Sequence, residues 1–140
     1  MPKIAPIIII DDDLDDIEFL ISALKDLNIP NELICFTNVE GVFGYLRKAN
    51  SKPFLIFCDI NMPRKNGLDL KKELDADPVV RNKCIPFIFF STSASMDLVD
   101  QAFGELHVQG YFQKLSSHEE TMHTLSTIIE YWKLCKHPNR

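Results

Sequence analysis

The sequence has no run of Lys or Arg long enough to follow a phosphate backbone. Its formal net charge of −5, from 15 basic and 20 acidic residues, sets it against nucleic acid from the outset. It has no apolar stretch near the ~20 residues that a membrane-spanning helix needs. The longest near the N-terminus, Ile7–Ile10, runs straight into Asp11. A secretory signal would need a longer apolar region and a small-residue cleavage site, so a cytoplasmic protein is expected. The four cysteines, Cys35, Cys58, Cys84 and Cys135, form no C-x-x-C pair, which removes the usual zinc and redox signatures. They are expected as buried, reduced thiols. No G-x-x-x-x-G-K-[ST] loop is present to cradle a nucleotide, and there is no internal repeat, linker or low-complexity segment. What remains is ordinary globular material, 46% hydrophobic and 25% charged. The 140 residues suit a single domain with a real core, expected over about residues 7–132 and followed by a short solvated tail from His137.

Short apolar runs alternate with stretches of helical period. Ile7–Ile10 is β-branched throughout and too short for a helix, so it reads as a strand buried on both faces. Ile17, Leu20, Ile21, Leu24 and Leu27 follow at helical spacing, with Asp13 as N-cap and Asn28 near the stop. A second strand is expected over residues 32–36 and a short helix, weakened by Gly41 and Gly44, over 38–49. Residues 54–58 give a third strand, closed by Asp59 and the turn residues Pro63, Asn66 and Gly67. A helix over 68–76 stops before Pro78. Residues 85–90 form the fourth strand, then a stripe of Val99, Ala102, Phe103 and Leu106. Gly110–Gln113 is the fifth strand. Ser116 and Ser117, each with a Glu three residues on, open the last helix with its stripe of Leu125, Ile128, Ile129 and Trp132. Strand followed by helix, five times over, predicts an α/β fold with a parallel sheet covered on both faces.

The polar residues that could carry chemistry fall at the carboxyl ends of these strands. Asp11 and Asp12 end the first, Asp59 the third, Ser91 the fourth and Lys114 the fifth. Open parallel sheets bind their ligands at that edge. The helix dipole accounts for Asp13, Asp15, Asp16 and Glu18, but not for Asp11 and Asp12, which directly continue a buried strand. Carboxylates about 4 Å apart repel by roughly 4 kcal/mol per pair at an effective dielectric near 20, so a cluster of them calls for a cation. Oxygen ligands with no His or Cys nearby suit a hard dication such as Mg²⁺. An EF-hand loop is excluded, since from Asp11 its sixth position is Asp16 instead of Gly and its twelfth is Ser22 instead of Glu. A carboxylate can attack phosphorus and hold an aspartyl phosphate. Such a transfer needs a metal and an in-line approach, with Lys114 adding positive charge and Ser91 a hydroxyl donor.

The strings IIIIDDD, LIFCDINMPRKNG, IPFIFFSTS and GYFQK, in that order, resemble the receiver domain of bacterial two-component response regulators, over about residues 7–132. The resemblance implies a flavodoxin-like (βα)5 doubly wound sheet of strand order 2-1-3-4-5. It implies Asp59 as phosphoacceptor, and Mg²⁺ held by Asp12, Asp59 and the Asn61 carbonyl, with Asp11 acting through water. Ser91 and Lys114 would be the phosphoryl-binding switch hydroxyl and lysine. Tyr111 matches the aromatic that swings inward on activation, and Asn61 and Ser93 the positions that tune dephosphorylation. The implied partners are a histidine kinase or histidine phosphotransfer protein upstream and a protein target downstream. That target would meet the surface of the fourth helix, fifth strand and fifth helix, on a monomer or a phosphorylation-dependent dimer, without nucleic acid or membrane. With nearly every residue used by the receiver, a stand-alone receiver is expected, catalysing only its own phosphoryl transfer and dephosphorylation.

Two positions depart from the family's pattern. Leu115 follows the lysine where Pro is usual, and since a cis non-Pro bond costs about 2.5–4 kcal/mol, a trans bond and a shifted loop are expected there. The usual Gly-Ala before the last strand is replaced near His107 and Val108. Two other readings compete: a phosphatase of the haloacid-dehalogenase type, whose D-x-D signature Asp11–Asp13 superficially supplies, and a receiver-like scaffold that is never phosphorylated.

Overall fold

The computed structural model describes residues 4–48, 50–92 and 95–136. Ser93 and the tail from His137 lie outside the described residues. Five strands, β1 (Ile7–Ile10), β2 (Leu33–Phe36), β3 (Leu55–Cys58), β4 (Phe87–Ser91) and β5 (Gly110–Gln113), pair in parallel in the order β2-β1-β3-β4-β5. The helices that follow them along the chain are α1 (Leu14–Asp26), α2 (Glu40–Arg47), α3 (Gly67–Ala76), α4 (Pro78–Arg81), α5 (Met96–Leu106) and, after β5, α6 (His118–Leu134).

Continuous apolar strands feed two cores because successive side chains leave a strand on opposite faces. Ile8, Ile10, Ile56, Cys58, Phe87 and Phe89 face one way and pack against Val42 and Leu46 of α2, Leu70 and Leu74 of α3, and Ala102 and Leu106 of α5. Ile7, Ile9, Leu55, Phe57, Ile88 and Phe90 face the other way, against Ile17, Leu20 and Leu24 of α1 and Leu125, Ile128 and Ile129 of α6. Central strands buried on both faces are the doubly wound arrangement.

Local signals set most boundaries. The Asp13 carboxylate accepts from Asp15 N and Asp16 N at the start of α1, and Asn28 just past its end takes a left-handed φ of 57°. Of the two candidate serines it is Ser117 that caps α6, accepting from Glu120 N. Pro78 does more than end α3. It occupies the first turn of the one-turn α4, whose N-cap Asp77 accepts from Val79 N and Val80 N. The expected fourth and fifth helices are therefore α5 and α6. His107 ends α5 in the left-handed region at φ 52°, where glycine is the ordinary choice.

The expectation of four buried thiols fails at three positions. Cys58 is buried, but Cys35 and Cys84 are exposed and Cys135 is half-buried, all of them free. Cys35 lies on β2, an edge strand, and Cys84 lies between α4 and β4 with φ 53°. Among the described residues no helix is long and apolar enough to cross a membrane.

Gly67 fixes the turn that follows β3. Its N–H donates to Ile60 O at 2.8 Å, and a Cβ there would sit 2.3 Å from Asp59 O and 3.0 Å from the Phe89 ring. Gly67→Ala must displace backbone next to Asp59, so it should lower stability by about 1–3 kcal/mol. A lower urea midpoint at unchanged m-value would report this; an unchanged midpoint would show that the turn yields freely.

Candidate functional site

Strand register brings the polar residues together. Ile10 pairs with Phe36 on one side and Cys58 on the other, so Asp11 and Asp59 emerge side by side from the centre of the sheet. The ladder continues into them: Asp59 N donates to Ile10 O at 2.9 Å and Asp11 N to Phe36 O at 3.0 Å. Across β4 and β5, Ser91 pairs with Gln113, and Lys114 N donates to Ser91 O at 2.8 Å. Asn61 lies exposed two residues past Asp59, in the segment leading to α3.

Carboxylate oxygens of Asp11, Asp12 and Asp59 lie within 4.8 Å of one another. Asp11 and Asp59 are only 2% and 7% exposed, whereas Asp12 is open to solvent. Burial pushes the pKa of both up, opposed by Lys114, while the charge of Asp11 adds to the rise at Asp59. Asp59 Oδ1 accepts from Ile60 N at 2.9 Å, and Asp59 also has a side-chain hydrogen bond with Ser91, which is fully buried. Lys114 supplies the positive charge: its Nζ donates to Asp11 Oδ2 at 2.6 Å and to Asp16 Oδ2 at 2.8 Å, and lies 3.7 Å from Asp59 Oδ1. Burial disfavours its charge, but these carboxylates outweigh burial and the lysine pKa ends above its ordinary value. Tyr111 packs beside Phe89, with ring centroids 6.0 Å apart, on the opposite pleat from Phe112. Its hydroxyl pKa is raised by burial and then by Asp59.

The structure thus gathers Asp11, Asp12, Asp59, Ser91 and Lys114 at one edge, with Tyr111 and Asn61 alongside. Asp16 is the addition. In the sequence the helix dipole is account enough for it, yet its carboxylate reaches Lys114 from the first turn of α1. No local signal marks it out, since the helix dipole already accounts for an acid in a first helical turn. The Lys114–Leu115 bond is trans, as is every described peptide, and Lys114 reaches the carboxylates all the same.

One ammonium does not neutralise four carboxylates. The remaining negative charge, the oxygen-only donors and the solvent-open Asp12 fit a hard divalent cation that keeps several waters. A separate concavity of about 500 Å³, lined in part by Ile56, Lys71, Phe87 and Glu105, contains none of these acids. Its buried Lys71 already pairs with Asp75.

A parallel sheet of this order with an acidic pocket at its carboxyl edge defines a class, the receiver-like signalling domains, and the comparisons agree. The response regulator receiver domain model matches residues 7–126, and the chain belongs to that family. It is similar to response regulator Rcp1 of Synechocystis sp., with 26% identity over 136 residues that cover 94% of this chain and 89% of the relative. Among solved structures it resembles the phosphorylated cyanobacterial phytochrome response regulator RcpA, at 27% identity and TM-score 0.80, covering 93% of this chain and 94% of that one. It also resembles the Mn²⁺-bound form of Rcp1, at 28% identity and TM-score 0.76, covering 94% of each. The family is one of two-component signalling switches, which leaves the haloacid-dehalogenase reading without support.

The raised carboxylate pKa values have a sign. Folding strengthens proton binding at Asp11 and Asp59, so the folded state holds more protons than the unfolded chain between about pH 4 and the raised values. Stability falls as pH climbs through that window and stays reduced above it. Asp59→Asn removes one buried charge and keeps a carbonyl acceptor for Ile60 N. In metal-free buffer at pH 7 it should gain about 1 kcal/mol, a rise of roughly 2–4 °C in Tm, and the gain should shrink towards pH 4. Thermal melts at the two pH values test this; an unchanged or lower Tm at pH 7 would mean that Lys114 already compensates Asp59 in full.

Proposed function

We propose that this chain is a phosphorylatable receiver of a cytoplasmic two-component phosphorelay, with Asp59 as phosphoacceptor and Mg²⁺ as cofactor. The observation that carries the reading is the convergence of Asp11, Asp12 and Asp59 within 4.8 Å, with the Lys114 ammonium beside them. The donor is a histidine kinase or histidine phosphotransfer protein. An Asp59 carboxylate oxygen attacks phosphorus in line as the bond from phosphorus to the donor breaks, and the donor leaves with that electron pair. The cation would be held by Asp12, Asp59 and the Asn61 backbone carbonyl, with Asp11 acting through water. Bound there, it supplies neutralisation of the phosphoryl oxygens. Lys114 and the Ser91 hydroxyl offer donors to those same oxygens, while Asn61 and Ser93, two residues past Asp59 and Ser91 in the sequence, tune dephosphorylation. The domain catalyses only its own phosphoryl transfer and its own dephosphorylation, in which water takes the phosphoryl group from Asp59.

The phosphoryl group adds about −1.5 to −2 charge. Drawing Ser91 and Lys114 towards it pulls on the ends of β4 and β5, and Tyr111 lies on the face that α5 covers. A two-state surface of α5, β5 and α6 is the proposed output, meeting a downstream protein or a second copy in a phosphorylation-dependent dimer.

Incubation with acetyl phosphate and Mg²⁺, read by intact mass, should add one phosphate to the wild-type chain and none to Asp59→Ala. A chelator should abolish the gain. An undiminished gain in Asp59→Ala would move the chemistry elsewhere, and no gain in the wild type would favour an unphosphorylated scaffold.

A further inference from the structure

We propose that Asp16 is a positioning residue for Lys114, a second tether that keeps the lysine ammonium at the Asp59 carboxylate; the proposal rests on the phosphoacceptor reading above. A lysine ammonium has three protons. Two are committed, to Asp11 Oδ2 at 2.6 Å and Asp16 Oδ2 at 2.8 Å, which leaves one beside Asp59 Oδ1 at 3.7 Å. Three elements thus meet on one nitrogen: β1 through Asp11, α1 through Asp16 and β3 through Asp59.

The segment carrying Lys114 does little to hold its side chain. The backbone is pinned by Lys114 N to Ser91 O at 2.8 Å, but the next peptide is trans and Leu115 is 39% exposed. A four-carbon stem with free rotamers reaches one place only if its end is held. Asp11 is a poor sole holder, because a cation drawn to the acidic pocket competes with the ammonium for that carboxylate. Asp16 stands outside the group of Asp11, Asp12 and Asp59, so its hold on Lys114 persists when the pocket is filled. It is also firmly based, in the first turn of α1 behind the Asp13 cap, with its neighbour Ile17 buried in the core.

The alternative is that Asp16 only favours the N-terminus of α1 through the helix dipole. Coupling to Lys114 separates the two. Acetyl phosphate labelling at saturating Mg²⁺ is measured for wild type, Asp16→Asn, Lys114→Ala, the double variant and Asp16→Glu, with thermal melts confirming that each folds. Asp16→Asn should slow labelling about tenfold, at the low end of what the loss of an outer support costs. It should add less than about twofold on top of Lys114→Ala, and Asp16→Glu should recover most of the rate, the non-additivity expected of residues in contact. Calorimetric Mg²⁺ titration without phosphodonor gives an independent reading. Asp16→Asn should weaken Mg²⁺ several-fold while Lys114 is present to fall back on Asp11, and change it less than about twofold once Lys114 is gone. Equal effects in both backgrounds, an unchanged labelling rate in Asp16→Asn, or no recovery in Asp16→Glu would overturn the proposal. A wild-type chain that gains no Asp59-dependent phosphate overturns the phosphoacceptor reading and takes this proposal with it, whereas intact wild-type labelling with no coupling defeats the Asp16 assignment alone.

Discussion

Two neighbouring strands that each end in aspartate cannot keep their carboxylates apart, and the rest of the site answers that constraint. The pairing of Ile10 with Cys58 makes Asp11 and Asp59 neighbours at the sheet edge, and the ladder hydrogen bond from Asp59 N to Ile10 O holds them there. Like charges in a partly desolvated place favour protonation, separation or a counter-cation. Lys114 supplies one positive charge from the end of β5, Ile60 N and Ser91 add hydrogen bonds to Asp59, and a deficit remains. That deficit suits the pocket to a hard cation and leaves the site sensitive to any change in charge.

The site lies on the seam between two cores. Lys114 leans to the side of α1, where Asp16 waits, whereas Tyr111 packs with the opposite core beside Phe89. Ser91, the last residue of β4, touches both stories. Its side chain meets Asp59, and its carbonyl receives Lys114 N. A local change of charge at Asp59 is therefore mechanically close to both β4 and β5. Packed interiors of this density pass small shifts on as discrete rearrangements.

Much of this was legible one segment at a time. The five strands came from short β-branched or aromatic runs, with β1 and β5 at the expected ends, and Asp13 and Ser117 announced their helices through capping chemistry. Other boundaries moved for local reasons: Pro78 opened an extra turn, since proline at a helix start costs nothing that the missing N–H would have supplied. The exposure of Cys35 was not legible, because burial of an edge-strand residue depends on what covers it. Nor was the role of Asp16, since acids in a first helical turn have a sufficient local explanation and nothing in α1 points to a lysine 98 positions away.

The sequence by itself determined the alternation of elements, the two-faced burial of the central strands and the placing of Asp11, Asp12, Asp59, Ser91 and Lys114 at strand ends, because periodicity and turn chemistry act over a few residues. Only the tertiary structure decided which ends are neighbours, how far the Lys114 ammonium reaches, and that it is shared between Asp11 and Asp16. Strand order and register are settled by the packing of whole faces, and a charge finds its partners only after that packing has brought distant residues within a few ångströms.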